Sequence, residues 1–131
     1  MKDLLEELKK NWWILLLSLF FFALAAGFDA VIDTLTHHFS TSIFAGLNDQ
    51  WWNPAISWTN KHTYPFPLNI VQISDAWHLF KTLMIITLTY TIIFTGRRLP
   101  ITWGRFIVYT IFYGLAWNLN FNLFYNILLL K

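Results

Sequence analysis

An all-α integral membrane bundle is the fold class this sequence predicts, with three transmembrane helices, a short amphipathic N-terminal helix and one long outer loop. Three observations lead there. Of 131 residues, 56% are hydrophobic and only 12% are charged, whereas about a quarter of residues in soluble domains are charged. The apolar residues gather into three stretches long enough to cross a bilayer. Thirteen Phe, eight Trp and five Tyr suit a small bundle whose aromatics coat the lipid-facing surface and mark both interfaces. The length fits a single transmembrane domain, residues 1–131.

The elements follow in order. Residues 2–10 put Leu4, Leu5 and Leu8 on one side and Glu6 one turn from Lys10, which reads as a short interfacial helix running into the first span. That span covers about residues 12–36, opening WWILLLSLFFFALAAGF and turning polar at Asp29. Lys9 and Lys10 before an apolar run, with Ala23-Leu24-Ala25 after it, also resemble a secretory signal. Because residue numbering begins at Met1, the segment is expected to stay as a signal anchor.

Residues 39–69 form the outer loop, with Trp51, Trp52, Trp58, Tyr64 and Phe66 among Pro54, Pro65 and Pro67. A connection this long is often functional, and its aromatics place it on the interface or over the bundle as a lid. An aromatic belt without chemistry is the plainer alternative. The second and third spans cover about residues 72–95 and 101–130, joined by Gly96-Arg97-Arg98-Leu99-Pro100, in which Gly ends one helix and Pro helps start the next.

Lys2, Lys9, Lys10, Arg97, Arg98 and Arg105 fall on one side of this topology, and Lys61 and Lys131 on the other. The positive-inside rule then puts the N terminus and the short turn in the cytoplasm and the long loop and C terminus outside. A net charge of +2 gives no argument for nucleic acid, and the absence of cysteine excludes disulfides, thiolate chemistry and Cys-ligated metal centres.

Each span carries a polar stripe, and the topology brings the three stripes to one depth: Asp29, Asp33, His37 and His38; Asp75, His78 and Lys81; Asn118, Asn120, Asn122 and Asn126. Ionisable groups at such depth cost at least about 2.5 kcal/mol each. Residues four apart share a helix face, so Asp29, Asp33 and His37 form a stripe about 12 Å long. Asp75 and His78 are neighbours one turn apart. Carboxylates and imidazoles on facing helices are how bundles build metal sites. Asp29, Asp33, His37 and His78 are therefore the expected ligands of a divalent ion (zinc, manganese or iron), which would lower the pKa of a bound water. Asp75 is the expected orienter or general base, Lys81 the anion-holding group. No HExxH or other spaced zinc signature accompanies them.

Other readings of the same residues stand beside this one. They could form a structural ion-pair network, a proton or ion pathway, or a bis-histidine haem site with His37 or His38 opposite His78. Asn118, Asn122 and Asn126 are expected to bind a polar headgroup, or alternatively to hold helices together. Ala23, Gly27 and Ala30 give the first span a small-residue face for close packing. His62 reads as a solvated loop side chain, and Ser57 lacks a spaced triad context.

Phe39 to Phe44, Trp52-Asn53-Pro54 with Ser57-Trp58-Thr59-Asn60-Lys61, and Asp75-Ala76-Trp77-His78 together resemble a family of small bacterial multi-span membrane proteins, mostly from Bacteroidota. The resemblance covers roughly residues 29–82 and implies a bacterial membrane protein. It implies no activity. The phosphatase motifs of membrane PAP2 enzymes, the GxSG of rhomboids and the acidic motif of bacterial diacylglycerol kinase are absent. The residues alone point to a metal-dependent hydrolase in the lipid bilayer, acting on a lipid or isoprenoid-linked ester or phosphoester at the outer leaflet. The expected assembly is a homo-oligomer. The alternative is a non-catalytic subunit of a larger membrane complex, using its polar stripes for helix contacts or a cofactor.

Overall fold

A computed structural model describes residues 2–59, 70–98 and 102–130. These residues are almost entirely helical, with no strand beyond one antiparallel bridge between Ser42 and Leu130. Helix α1 runs Lys2–His37 and absorbs the expected N-terminal helix, with a single kink at Asn11 (φ −119°, ψ 16°) where the two meet. Glu6 and Lys10 are both exposed and make no ion pair with each other.

The segment after α1 is more ordered than its irregular sequence implies. Two single-turn helices, α2 (Asp49–Trp52) and α3 (Pro54–Ser57), are started by asparagines: Asn48 accepts from the Gln50 N–H and Asn53 from the Ala55 N–H. Such side chains satisfy amide donors that the first turn leaves unpaired. Pro54 adds a residue already bent to helical φ. Lys61, His62, Tyr64, Pro65, Phe66 and Pro67 lie outside the described residues.

Helix α4 spans Ala76–Arg98, beginning four residues later than expected because Val71–Ile73 forms a 3-10 turn and Asp75 caps the helix behind it. It continues through Gly96 rather than ending there. Residues 99–101 lie outside the described residues. Helix α5 runs Trp103–Asn122 and passes into a π-helical segment, Leu123–Leu129, where the sequence predicts one continuous helix.

Helix α1 packs on both α4 and α5. Its contact with α4 is antiparallel: Ser18 meets Thr91 at one end and Thr36 meets Trp77 at the other. Ala25, Ala26 and Ala30 are wholly buried and let the backbones approach. Gly27 faces the Phe124 ring, where an added Cβ would stand 3.4 Å away. The small-residue face anticipated for the first span is thus a packing surface at Gly27 and Ala30.

At the other end of the bundle, Ser18 Oγ shares hydrogen bonds with Thr95 Oγ1 (2.6 Å) and Tyr113 Oη, and Thr95 Oγ1 with Tyr113 Oη (2.8 Å). This cluster ties all three long helices together. Aromatic stacks continue it, Phe21 on Tyr90 and Phe94, Phe22 against Tyr113 and Trp117.

Residues 39–59 close over the opposite end. The Ile43 N–H donates to the Leu129 carbonyl at 2.9 Å, Phe44 is buried and stacked on Trp52, and Trp52 leans on Phe80 of α4. Among the described residues two helical stretches are long and apolar enough to cross a membrane, Lys9–His37 and Ala76–Gly96.

Candidate functional site at the loop-covered end

Asp75 and His78 form the site's best-defined pair. Asp75 stands at the N-cap of α4, and its Oδ1 accepts the His78 backbone N–H at 2.8 Å. A capping aspartate needs no more than this bond. Here the same carboxylate also holds the His78 ring, with Nδ1 lying 3.0 Å from Oδ1 and 2.9 Å from Oδ2. The Asp75 side chain is 3% exposed and that of His78 28%, so a buried anion orients a partly open imidazole. It is the one ion pair among the described residues. The helix N-terminus favours the carboxylate's negative charge. Ser74 Oγ approaches the same Nδ1 at 3.4 Å.

With Nδ1–H donating to the carboxylate, Nε2 carries the lone pair, the tautomer that a general base requires. The ring is flanked by Trp77 (centroids 5.1 Å apart) and Trp58 (6.4 Å). Those two indoles also wall a cavity of about 640 Å³, together with Asp33, Thr36 and Pro54. Trp77 is fixed there by its Nε1–H, which donates to Thr36 Oγ1 at 3.1 Å. Asp33 is half-buried and makes no hydrogen bond or ion pair with the described residues. Lys81 Nζ sits 6.0 Å from the centre of the Trp77 ring, within cation–π range. Asp29 is within electrostatic reach of Asp33 and Lys81.

The stripes of α1 and α4 therefore do run side by side. The divalent ion's four expected ligands are less convergent. His37 is exposed, away from the Asp33 cavity lining, while His78, held at Nδ1 by Asp75, keeps Nε2 as its free donor. Among the described residues no three His, Asp or Glu side chains are gathered to hold a metal ion. As they stand, these side chains do not offer the three or more converging donors that such an ion needs.

Asn118, Asn122 and Asn126 lie elsewhere, on the exposed side of α5 and the π-helical segment. They bond to one another: Asn122 Nδ2 donates to the Asn118 carbonyl and Oδ1, and Asn126 Nδ2 to Asn122 Oδ1. The shallow groove along them shares no lining residue with the Asp33 cavity.

Thr36, Trp58 and Trp77 are the site residues that sequence reasoning passes over. Thr36 could have been found at i+3 from Asp33, on the same face. The two tryptophans carry no distinguishing pattern among eight. No family model matches the chain, and no curated protein or solved structure is similar to it.

Proposed function

We propose that the chain is a three-span bacterial membrane protein, N terminus inside, that hydrolyses an ester or phosphoester of a lipid or isoprenoid-linked substrate at the outer leaflet, with His78 as general base. The observation that carries this is the hold of a buried carboxylate on the His78 ring beyond what capping needs. His78 Nε2 takes a proton from water, whose oxygen attacks the carbonyl carbon or phosphorus. The ester bond breaks, and the proton returns from Nε2 to the leaving oxygen. Asp75 keeps the ring in position and stabilises the imidazolium formed on the way, and Lys81 holds the anionic part of the substrate.

A third span is supported by α5 itself. Its 20 residues reach about 30 Å at 1.5 Å per residue, the thickness of a hydrocarbon core. Trp103, Phe106, Ile111, Phe112, Leu115 and Leu119 face outward from it. The Asp33 cavity at the loop-covered end then lies at headgroup depth.

The test is release of product from a panel of lipid esters and phosphoesters by the reconstituted protein, run with His78→Ala and Asp75→Asn and with elemental analysis of each preparation. Turnover lost in both variants supports the reading; a wild-type protein inert across the panel refutes it. A stoichiometric metal that disappears with His78 would replace the metal-free route by a metal-assisted one.

One observation favours a second reading, a non-catalytic subunit of a homo-oligomer or larger membrane complex. The Asn118–Asn122–Asn126 ladder lies on a surface otherwise apolar, and amides facing acyl chains seek another helix.

A further inference from the structure

We propose that the cavity between Asp33, Thr36, Trp58 and Trp77 binds the ammonium group of a lipid headgroup. This rests on the reading above for its depth in the membrane, but its chemistry stands on different residues from the Asp75–His78 pair.

The argument begins with Asp33. Its carboxylate is half-buried on the cavity wall and has no donor among the described residues. Lys81, the cation of the facing helix, is drawn toward the Trp77 ring instead. A carboxylate in so apolar a setting calls for a counter-charge. The cavity's other walls select which cation that is. Indole rings attract an organic ammonium through their quadrupoles and suit its alkyl substituents as well as its charge, and Trp58 and Trp77 both line the cavity. A strongly hydrated metal ion finds too few oxygens here, since no three acidic or histidine side chains converge.

Size agrees: about 640 Å³ falls among ordinary ligand cavities, which run from about 300 to 1,000 Å³. Trp77 is anchored to Thr36 and so holds its face in place before a ligand arrives. Trp58 comes from the loop-covered end and is largely exposed, so the cavity is open where a headgroup would enter. The ammonium then lies beside Trp77, next to the His78 ring packed on that indole. A scissile bond a few atoms further along the same headgroup would be within that ring's reach.

The experiment titrates the detergent-purified full chain with short-chain phosphatidylcholine, phosphatidylethanolamine and phosphatidylglycerol, and with free choline, reading tryptophan fluorescence and thermal shift. Asp33→Asn and Trp58→Ala are run alongside, with circular dichroism to confirm that helicity is kept. The expected result is a preference of about tenfold or more for the ammonium lipids over phosphatidylglycerol, lost in Asp33→Asn and reduced in Trp58→Ala. Equal affinity for all three lipids overturns the proposal, and so does a preference that survives Asp33→Asn. Free choline binding as tightly as the lipids overturns the lipid as ligand. Failure of the hydrolase reading is separable: a headgroup preference lost in Asp33→Asn, with no turnover of any lipid, supports the ammonium site and removes the hydrolysis.

Discussion

Trp77 and Thr36 meet across the α1–α4 contact, the indole Nε1–H donating to the threonine Oγ1 at 3.1 Å while that hydroxyl donates onward to the Ile32 carbonyl at 2.7 Å. One side chain of each helix is thereby registered against the other, and both side chains line the Asp33 cavity.

Removing either partner should loosen this wall. Trp77→Phe and Thr36→Val are each expected to cost about 1 kcal/mol, and the double variant less than the sum, because the second change finds the bond already absent. Denaturant unfolding in mixed micelles, followed by circular dichroism, measures the cycle. Strict additivity would show that the bond contributes nothing.

Asp75 has two tasks that substitutions can separate. Asparagine caps helices as well as aspartate does, so Asp75→Asn should keep the thermal stability of the wild type, whereas Asp75→Ala should lose about 1 kcal/mol with the cap. Both remove the anion that stabilises a protonated His78, and both should reduce hydrolysis by about 10²-fold or more. Stability and turnover falling together in Asp75→Asn would show that the carboxylate acts only in folding.

The residues that were legible in the sequence are those whose signal is a period or a run. Apolar continuity marks α1, and the four-residue spacing puts Asp29 and Asp33 on one face of it, Asp33 beside the cavity that Trp77 of α4 also lines. The start of α4 is displaced from the expected residue 72 because Val71–Ile73 forms a 3-10 turn and Asp75, by capping, sets the helix to begin at Ala76. Trp58 and Trp77 are illegible for another reason: an indole at an interface looks the same in sequence whether it faces lipid or a cavity. The Asn ladder shows a third kind of limit. Its spacing is clear, but a period does not say whether the face it marks looks inward or out.

Gly27 tests how close α1 and the π-helical segment must be. A Cβ at this position stands 3.4 Å from the Phe124 ring, which alanine tolerates as an ordinary contact. Valine adds two further carbons into the same ring and is expected to destabilise by about 1–3 kcal/mol. Thermal melts of Gly27→Ala and Gly27→Val in one detergent make the comparison. Equal melting temperatures would mean that the two elements part freely.

Asn122 occupies the middle of the amide ladder, donating to Asn118 and accepting from Asn126. Leucine in its place breaks both links at once and leaves the outer two amides without their neighbour on an exposed surface. If the ladder joins this helix to another, Asn122→Leu should lower the oligomeric fraction seen by light scattering in detergent. The change corresponds to about 0.6–2 kcal/mol of interhelical hydrogen bonding, or a few-fold to about thirtyfold in the association constant. Hydrolysis by the same variant separates this role from the headgroup contact that the sequence spacing predicts. A fallen rate with the oligomer intact assigns the ladder to the substrate, and a dispersed oligomer with the rate retained assigns it to the helix contact.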